Sequence, residues 1–226
     1  MKMKTYITMT GVLLMATMAA QATLTYGDAS FTGTIPDANP AGISSSILVS
    51  GAVINAARDV NVTLNLSGGY NGDLYGYLIG PDGSFAMLLN RIGRTSDTGT
   101  GAFGNSGSSM ILTLNDEAVA GDIHLAASGA LTGSYWSDGR NVNPLNAVSG
   151  DARTAGLDQV FTAANNHTIN GTWTLFLADM SGGDTMNLVS WGLDITVVPE
   201  PATWALLIFG ALAGVVVARQ QRRARA

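Results

Sequence analysis

The chain reads as an all-β protein: a β-sandwich, of jelly-roll type, with about eight or nine strands. Three observations lead there. Apolar residues recur with period two, Gly, Asn, Asp and Ser interrupt these runs at short intervals, and helical periodicity is nearly missing between Thr23 and Val198. A strand with alternate apolar residues buries one face, and two sheets of such strands cover each other's apolar faces.

Taken in order, a strand is expected near Ser45–Gly51, and a second where Val60, Val62, Leu64 and Leu66 alternate with Asn61, Thr63 and Asn65. Leu74–Ile79 and Phe85–Asn90 flank Pro81-Asp82-Gly83, a turn in which proline presets φ and glycine tolerates positive φ. Gly93–Ser109 is a glycine- and serine-rich loop, Met110–Leu114 a strand, and Gly121–Asn170 mostly loop with one or two short strands. Trp173, Leu175 and Leu177 alternate with Thr172, Thr174 and Phe176, and Val189, Trp191, Leu193, Ile195 and Val197 close the domain. An immunoglobulin-like topology is the rival to the jelly roll, and periodicity does not separate them.

The order of several segments resembles the P domain (P/Homo B) that follows subtilisin-like proprotein convertases. They are Ile35-Pro36-Asp37, Asp59 to Leu66, Gly72-Asp73-Leu74, Leu78-Ile79-Gly80-Pro81-Asp82-Gly83, Asn115-Asp116-Glu117-Ala118, Asn170-Gly171-Thr172-Trp173, Ala178-Asp179, Gly183-Asp184 and Ser190-Trp191-Gly192. The resemblance spans about Phe31 to Val197 and implies a β-jelly roll. It also implies a role in stabilising or regulating a peptidase, although no peptidase domain adjoins it in this sequence.

The two ends read as addresses. Lys2 and Lys4, the apolar stretch Gly11–Ala20 and the small residues Ala20 and Ala22 form a secretory signal peptide over 1–22, cut after Ala22. At the other end, Pro199-Glu200-Pro201 precedes an apolar run from Trp204 to Ala218 and then Arg219, Arg222, Arg223 and Arg225. This 198–226 segment resembles the PEP-CTERM sorting signal of Gram-negative bacteria. That resemblance implies an exosortase-like membrane enzyme as processing partner and an inner-membrane-anchored precursor. The 15 apolar residues from Trp204 to Ala218 are short for a span of about 20, and the arginines snorkel to complete a short transmembrane helix. Between the addresses lies one domain, 23–197.

That body carries five arginines against fifteen acids, about −10 in formal charge, fourteen of the acids being aspartate. Such a surface excludes nucleic acid as partner, because phosphate binding needs clustered Lys and Arg. With no cysteine, the exported domain relies on its core or on metal rather than on disulfides. Loop aspartates suit calcium, a hard cation that takes oxygen ligands. The candidates are Asp73, Asp116, Glu117, Asp179 and Asp184, which also match the acidic positions of the P-domain pattern. Calcium is thus the expected structural cofactor.

No catalytic centre is evident. His124 and His167 are the only histidines, both in polar Gly- or Asn-rich surroundings that suggest exposed loops, and no G-x-S-x-G or H-E-x-x-H occurs. Gly99-Thr100-Gly101-Ala102-Phe103-Gly104 fits a dinucleotide fingerprint only formally, lacking the strand before it and the helix after it. The sequons at Asn61, Asn65, Asn166 and Asn170 read as strand and turn composition. The expected function is therefore a non-catalytic exported cell-surface or extracellular-matrix protein, linked through its sorting family to exopolysaccharide and biofilm. Two alternatives stand beside it. One is a free-standing P domain that binds or regulates a secreted subtilisin-like serine endopeptidase. The other is a carbohydrate-binding module with Tyr70, Tyr75, Tyr77, Tyr135 and Trp136 as aromatic platforms, unless the shared parity of Tyr75 and Tyr77 places them in the core.

Overall fold

The computed structural model describes residues 22–28, 33–52, 57–162 and 168–197, with Gly210, Gly214 and Gln221 beyond them. The expected signal peptide except Ala22, His167, Asn166 and the sorting segment apart from Gly210, Gly214 and Gln221, with its expected transmembrane helix, lie outside the described residues. Among the described residues, no helix is long and apolar enough to cross a membrane.

Gln21–Val198 is a single compact unit, in which the described residues form ten strands. They are β1 (Ala22–Asp28), β2 (Gly33–Ile35), β3 (Asn39–Val49), β4 (Ala57–Gly68), β5 (Leu74–Ile79), β6 (Phe85–Asn90), β7 (Ser109–Leu114), β8 (Leu131–Tyr135), β9 (Gly171–Asp179) and β10 (Met186–Val197). One short helix, α1 (Leu157–Phe161), precedes β9. One sheet has the order β1-β10-β4-β7-β8 with β2 also on β10, and the other the order β3-β9-β5-β6. Each of the steps β3 to β4, β4 to β5, β6 to β7 and β9 to β10 changes sheet, so the two sheets form a β-sandwich closed by crossovers at both ends. All pairs are antiparallel except β7 with β8.

The period-two pattern becomes the core directly. Val60, Val62, Leu64 and Leu66 of β4, Leu112 and Leu114 of β7, and Leu193, Ile195 and Val197 of β10 face Ile47 and Val49 of β3, Leu74 and Leu78 of β5, and Trp173, Leu175 and Leu177 of β9, all buried. Burial of such side chains, about 1.5–3 kcal/mol each, is the main term holding the sheets together without a disulfide. The indoles anchor the layers: Trp191 Nε1 donates to Ser45 Oγ of the opposite sheet at 2.8 Å, and Trp173 Nε1 donates to Ile169 O at 2.9 Å. Ser45 thus sits on an inward-facing position of β3 because its hydroxyl accepts across the core.

Three details depart from the sequence reading. Two N-terminal strands, β1 and β2, raise the count above nine; Leu24 and Tyr26 of β1 pack against the core as a half-buried edge strand. In β10 the inward parity runs through Met186 and Leu188, then slips at a register shift between Leu188 and Ser190 before resuming at Trp191. Val189 is the extra residue of this bulge and is only partly buried, not a core position. Third, Tyr75 and Tyr77 belong to the outer face of β5, because the buried phase of that strand is Leu74, Gly76 and Leu78. The Pro81-Asp82-Gly83 turn forms as expected, with Gly83 at φ 85° and its N–H donating to Gly80 O at 3.0 Å.

Candidate functional site

The loops at the strand ends collect the acids. Asp59 opens β4, Glu117 lies in the turn after β7, and Asp158 sits in the first turn of α1. These three residues are far apart in sequence, yet each offers a carboxylate oxygen within 4.8 Å of the other two. The arrangement is fixed by hydrogen bonds to backbone. Val60 N donates to Asp158 Oδ1 at 2.9 Å, Asp158 N donates to Asp116 Oδ2 at 2.9 Å, and Arg153 holds Asp116 Oδ1 at 2.8 Å. Gly156 is required here: a Cβ at that position would lie 2.2 Å from Asp116 Oδ2. Asp59 Oδ2 accepts from Asn61 Nδ2 at 2.9 Å, while its Oδ1 is buried with no hydrogen-bond partner among the described residues.

Burial pushes the Asp158 carboxyl up to about 7, against the Val60 N–H that favours its anion, and the neighbouring Asp59, Glu117 and Asp116 push it further. Asp59 is raised too, by burial first and then by Glu117. Three carboxylates this close favour either a shared proton or a divalent cation with oxygen ligands. The sequence reading had singled out Asp116 and Glu117, and the fold brings Glu117 to Asp59 and Asp158, which it had missed. The pointers to those two, an acid at a strand start and an acid in a first helical turn, are common and unremarkable in one dimension.

Asp73 and Asp179 meet at the opposite corner, where Leu74 of β5 pairs with Asp179 of β9. Arg91, held at φ 53°, bridges to Asp73 Oδ1 at 3.2 Å and to Gly72 O at 3.2 Å. Burial nevertheless raises Asp73 to about 6, opposed by Arg91 and assisted by Asp179 and Asp37. Asp179 is also raised, chiefly by burial, and its Oδ2 is buried with no hydrogen-bond partner among the described residues. The third acid facing this pair is Asp37, whose carboxylate takes the Gly183 N–H at 3.2 Å; Asp184 stands exposed.

His124 is not an exposed loop histidine. It is fully buried, with Nδ1 2.7 Å from Asp138 Oδ2 and Nε2 3.2 Å from Arg94 O. Asp138 also takes the Asn90 N–H at 3.1 Å and pairs with Arg140, which reaches Asp122 Oδ2 at 2.8 Å. The charged residues Asp122, Asp138 and Arg140 around it draw the histidine inward despite its glycine-rich setting. Both ring nitrogens are taken, so His124 is not placed as a base toward a hydroxyl nucleophile. The glycine-rich Gly99–Ala102 segment forms one 3-10 turn that follows an extended loop residue, Thr98.

The aromatic candidates do not form one platform. Tyr75 and Tyr77 join Phe85 and Phe176 on the outer face of the four-stranded sheet, Tyr77 stacking on Phe176 at 4.6 Å and 17°. Trp136 lies instead under Arg153, 5.6 Å from ring centroid to guanidinium carbon, and Tyr135 packs against the core.

At the end of β10 the sequence passes directly into the Pro-Glu-Pro segment. Residues 197–223 match the family described as the PEP-CTERM protein-sorting motif. The C-terminal segment is a PEP-CTERM sorting motif. The motif marks an exported protein sorted through a membrane-anchored precursor. Over 63 residues, 28% of its length, the chain is 41% identical to leupeptin-inactivating enzyme 1 of Streptomyces exfoliatus, covering 14% of that protein. In fold it is similar to the serine protease of Aeromonas sobria in complex with a chaperone, with a TM-score of 0.43 and 14% identity over 80% of this chain and 28% of that one. The same protease without the chaperone gives a TM-score of 0.43 and 14% identity over 79% of this chain and 27% of that one. The chain therefore spans about a seventh of its curated relative and just over a quarter of these structures.

Proposed function

We propose that this PEP-CTERM protein is a non-catalytic, exported component of the cell surface or extracellular matrix, processed by an exosortase-like enzyme and working with extracellular polysaccharide. The single observation that carries the reading is the sorting motif at 197–223, attached to a jelly roll whose buried histidine has both nitrogens engaged. An acidic exterior supports a role that keeps the domain soluble and apart from anionic polymers. Four of the five body arginines are spent on internal ion pairs, so the carboxylates dominate what a partner meets. In this reading calcium is a structural ion, and Asp59, Glu117 and Asp158 supply the carboxylate set whose spacing suits it best.

The second reading, a domain that binds or regulates a secreted subtilisin-like peptidase in trans, draws support from the segment order of the P-domain resemblance and its implied jelly roll. One experiment separates the two. The tagged protein is recovered from culture supernatant and cell surface, and the co-purifying material is analysed for polysaccharide and for serine peptidase. Enrichment of polysaccharide without a peptidase is the expected result. A stoichiometric peptidase without polysaccharide overturns the matrix reading in favour of the second.

A further inference from the structure

The outer face of the six-stranded sheet carries a trough of about 350 Å³, lined in part by Thr63, Asn65, Ile111, Thr113, Ser134 and Ser190. The register shows how it is built. Thr63 of β4 stands opposite Thr113 of β7 and Gly192 of β10, and Asn65 stands opposite Ile111 and Ser190. Ser134 of β8 extends the first row, opposite Thr113. One row thus carries hydroxyls from Thr63 to Ser134 and ends at Gly192 without a side chain, and the other sets Ser190 and Asn65 beside Ile111 across three strands. The volume falls within the range of about 300–1,000 Å³ common to small-molecule sites.

The chemistry of the lining selects the occupant. No charged side chain lines the trough, although the body carries fifteen acids. The hydroxyls of Thr63, Thr113, Ser134 and Ser190 and the amide of Asn65 form no side-chain hydrogen bond with other described residues, so they remain available to a ligand. Ile111, 60% exposed, adds an apolar surface between them. Apolar surface makes up the larger share of the lining, but a wholly apolar molecule would desolvate these oxygens without replacing their hydrogen bonds. An anionic polymer would meet the acidic field of the domain. A peptide strand would find the backbone of β4, β7 and β10 already paired on both sides, with only the outer edge of β8 left for strand addition. What fits is a neutral chain bearing many hydroxyls with apolar C–H patches between them.

We propose that this trough binds a neutral oligosaccharide segment of an extracellular polysaccharide, with Thr63, Asn65, Thr113 and Ser190 as hydrogen-bonding groups and Ile111 as the apolar contact. The inference rests on the matrix reading and supplies its binding site. It also moves carbohydrate recognition away from the tyrosines and Trp136, none of which lines the trough.

The test uses the full chain, purified in a detergent without a sugar headgroup and titrated calorimetrically with cellohexaose, maltohexaose, laminarihexaose and polysaccharide isolated from the producing cells. An alginate oligosaccharide serves as anionic control. Thr63→Val and Thr113→Val keep β-branched residues on the strands while removing one hydroxyl each, and Tyr77→Ala probes the aromatic face of the other sheet. The expected result is binding to a neutral glycan, weakened roughly fivefold by each valine variant, unchanged in Tyr77→Ala, and absent for alginate. Neutral-glycan binding that ignores both valine variants overturns the trough and leaves the matrix reading standing. Absence of binding to every glycan, including the cells' own polysaccharide, overturns both. Self-association abolished by the valine variants overturns the glycan assignment in favour of a second copy of this chain.

Discussion

Replacing Asp138 with alanine is expected to destabilise the domain by about 3–5 kcal/mol, the range for breaking a buried ion pair from one side. Asp138 is fully buried and faces His124 at 2.7 Å and Arg140 at 3.3 Å, while also taking the Asn90 N–H at 3.1 Å. Without it, the buried Arg140 keeps only Asp122 as a carboxylate partner, and His124 Nδ1 loses its acceptor. For a domain of this size the change corresponds to a fall in melting temperature of roughly 6–20 °C. Asp97→Ala is the control: Asp97 pairs with Arg94 at 3.4 Å, but its side chain is 61% exposed. Such a pair is worth about 0–1 kcal/mol. Denaturant midpoints of the two variants check the contrast, and similar losses would contradict the role given to Asp138.

The second large effect concerns Asp158 and runs against the usual behaviour of carboxylates. Its folded value lies at about 7, above the ordinary value of 3.8, because it is buried beside Asp59, Glu117 and Asp116. Between those two values the native state holds a proton that the unfolded chain does not. The contribution of this group to stability is therefore present at low pH, falls as pH rises toward 7, and stays lost above it. Asp158→Asn keeps a carbonyl oxygen to accept the Val60 N–H and removes the charge. After discounting for solvent screening on half-buried groups, the gain at pH 8 is on the order of 1 kcal/mol, or about 2–4 °C. At pH 8 calcium is expected to raise the melting temperature of the wild type and to do little for Asp158→Asn. A difference between wild type and variant that does not change from pH 5 to pH 8, with no response to calcium or EDTA, would sink this account of the acidic corner.

The parts of the fold that were legible in the sequence are those decided locally. Alternation over Val60 to Leu66 and over Trp173 to Leu177 translates residue by residue into buried positions, because a strand has no other way to segregate its faces. The slip at Val189 was illegible: a bulge restores the apolar phase two residues later, and the written sequence reads as one unbroken alternation through Val197. Strand β1 was obscured by its place directly behind the expected signal peptide. Site residues were legible only in part, since Glu117 meets Asp59 and Asp158 through the packing of α1 and the turn after β7 against β4. The burial of His124 likewise depends on partners 14 and 30 residues away. The outer-face trough is a property of register: Thr63, Thr113 and Ser134 are ordinary strand residues until pairing sets them in one row.

We predict that the folded domain is carried to the cell exterior and released there from its address segments. Intact mass spectrometry of the protein recovered from the cell surface tests it most directly. The predicted mass corresponds to a chain beginning at Thr23 and ending near Pro199-Glu200-Pro201, allowing for any attached lipid or glycan resolved by fragmentation. The same protein in cells lacking the exosortase-like enzyme is predicted to remain in the membrane fraction with Arg219, Arg222, Arg223 and Arg225 still present. A surface protein that retains those arginines, or a processed form that persists without the enzyme, would contradict it.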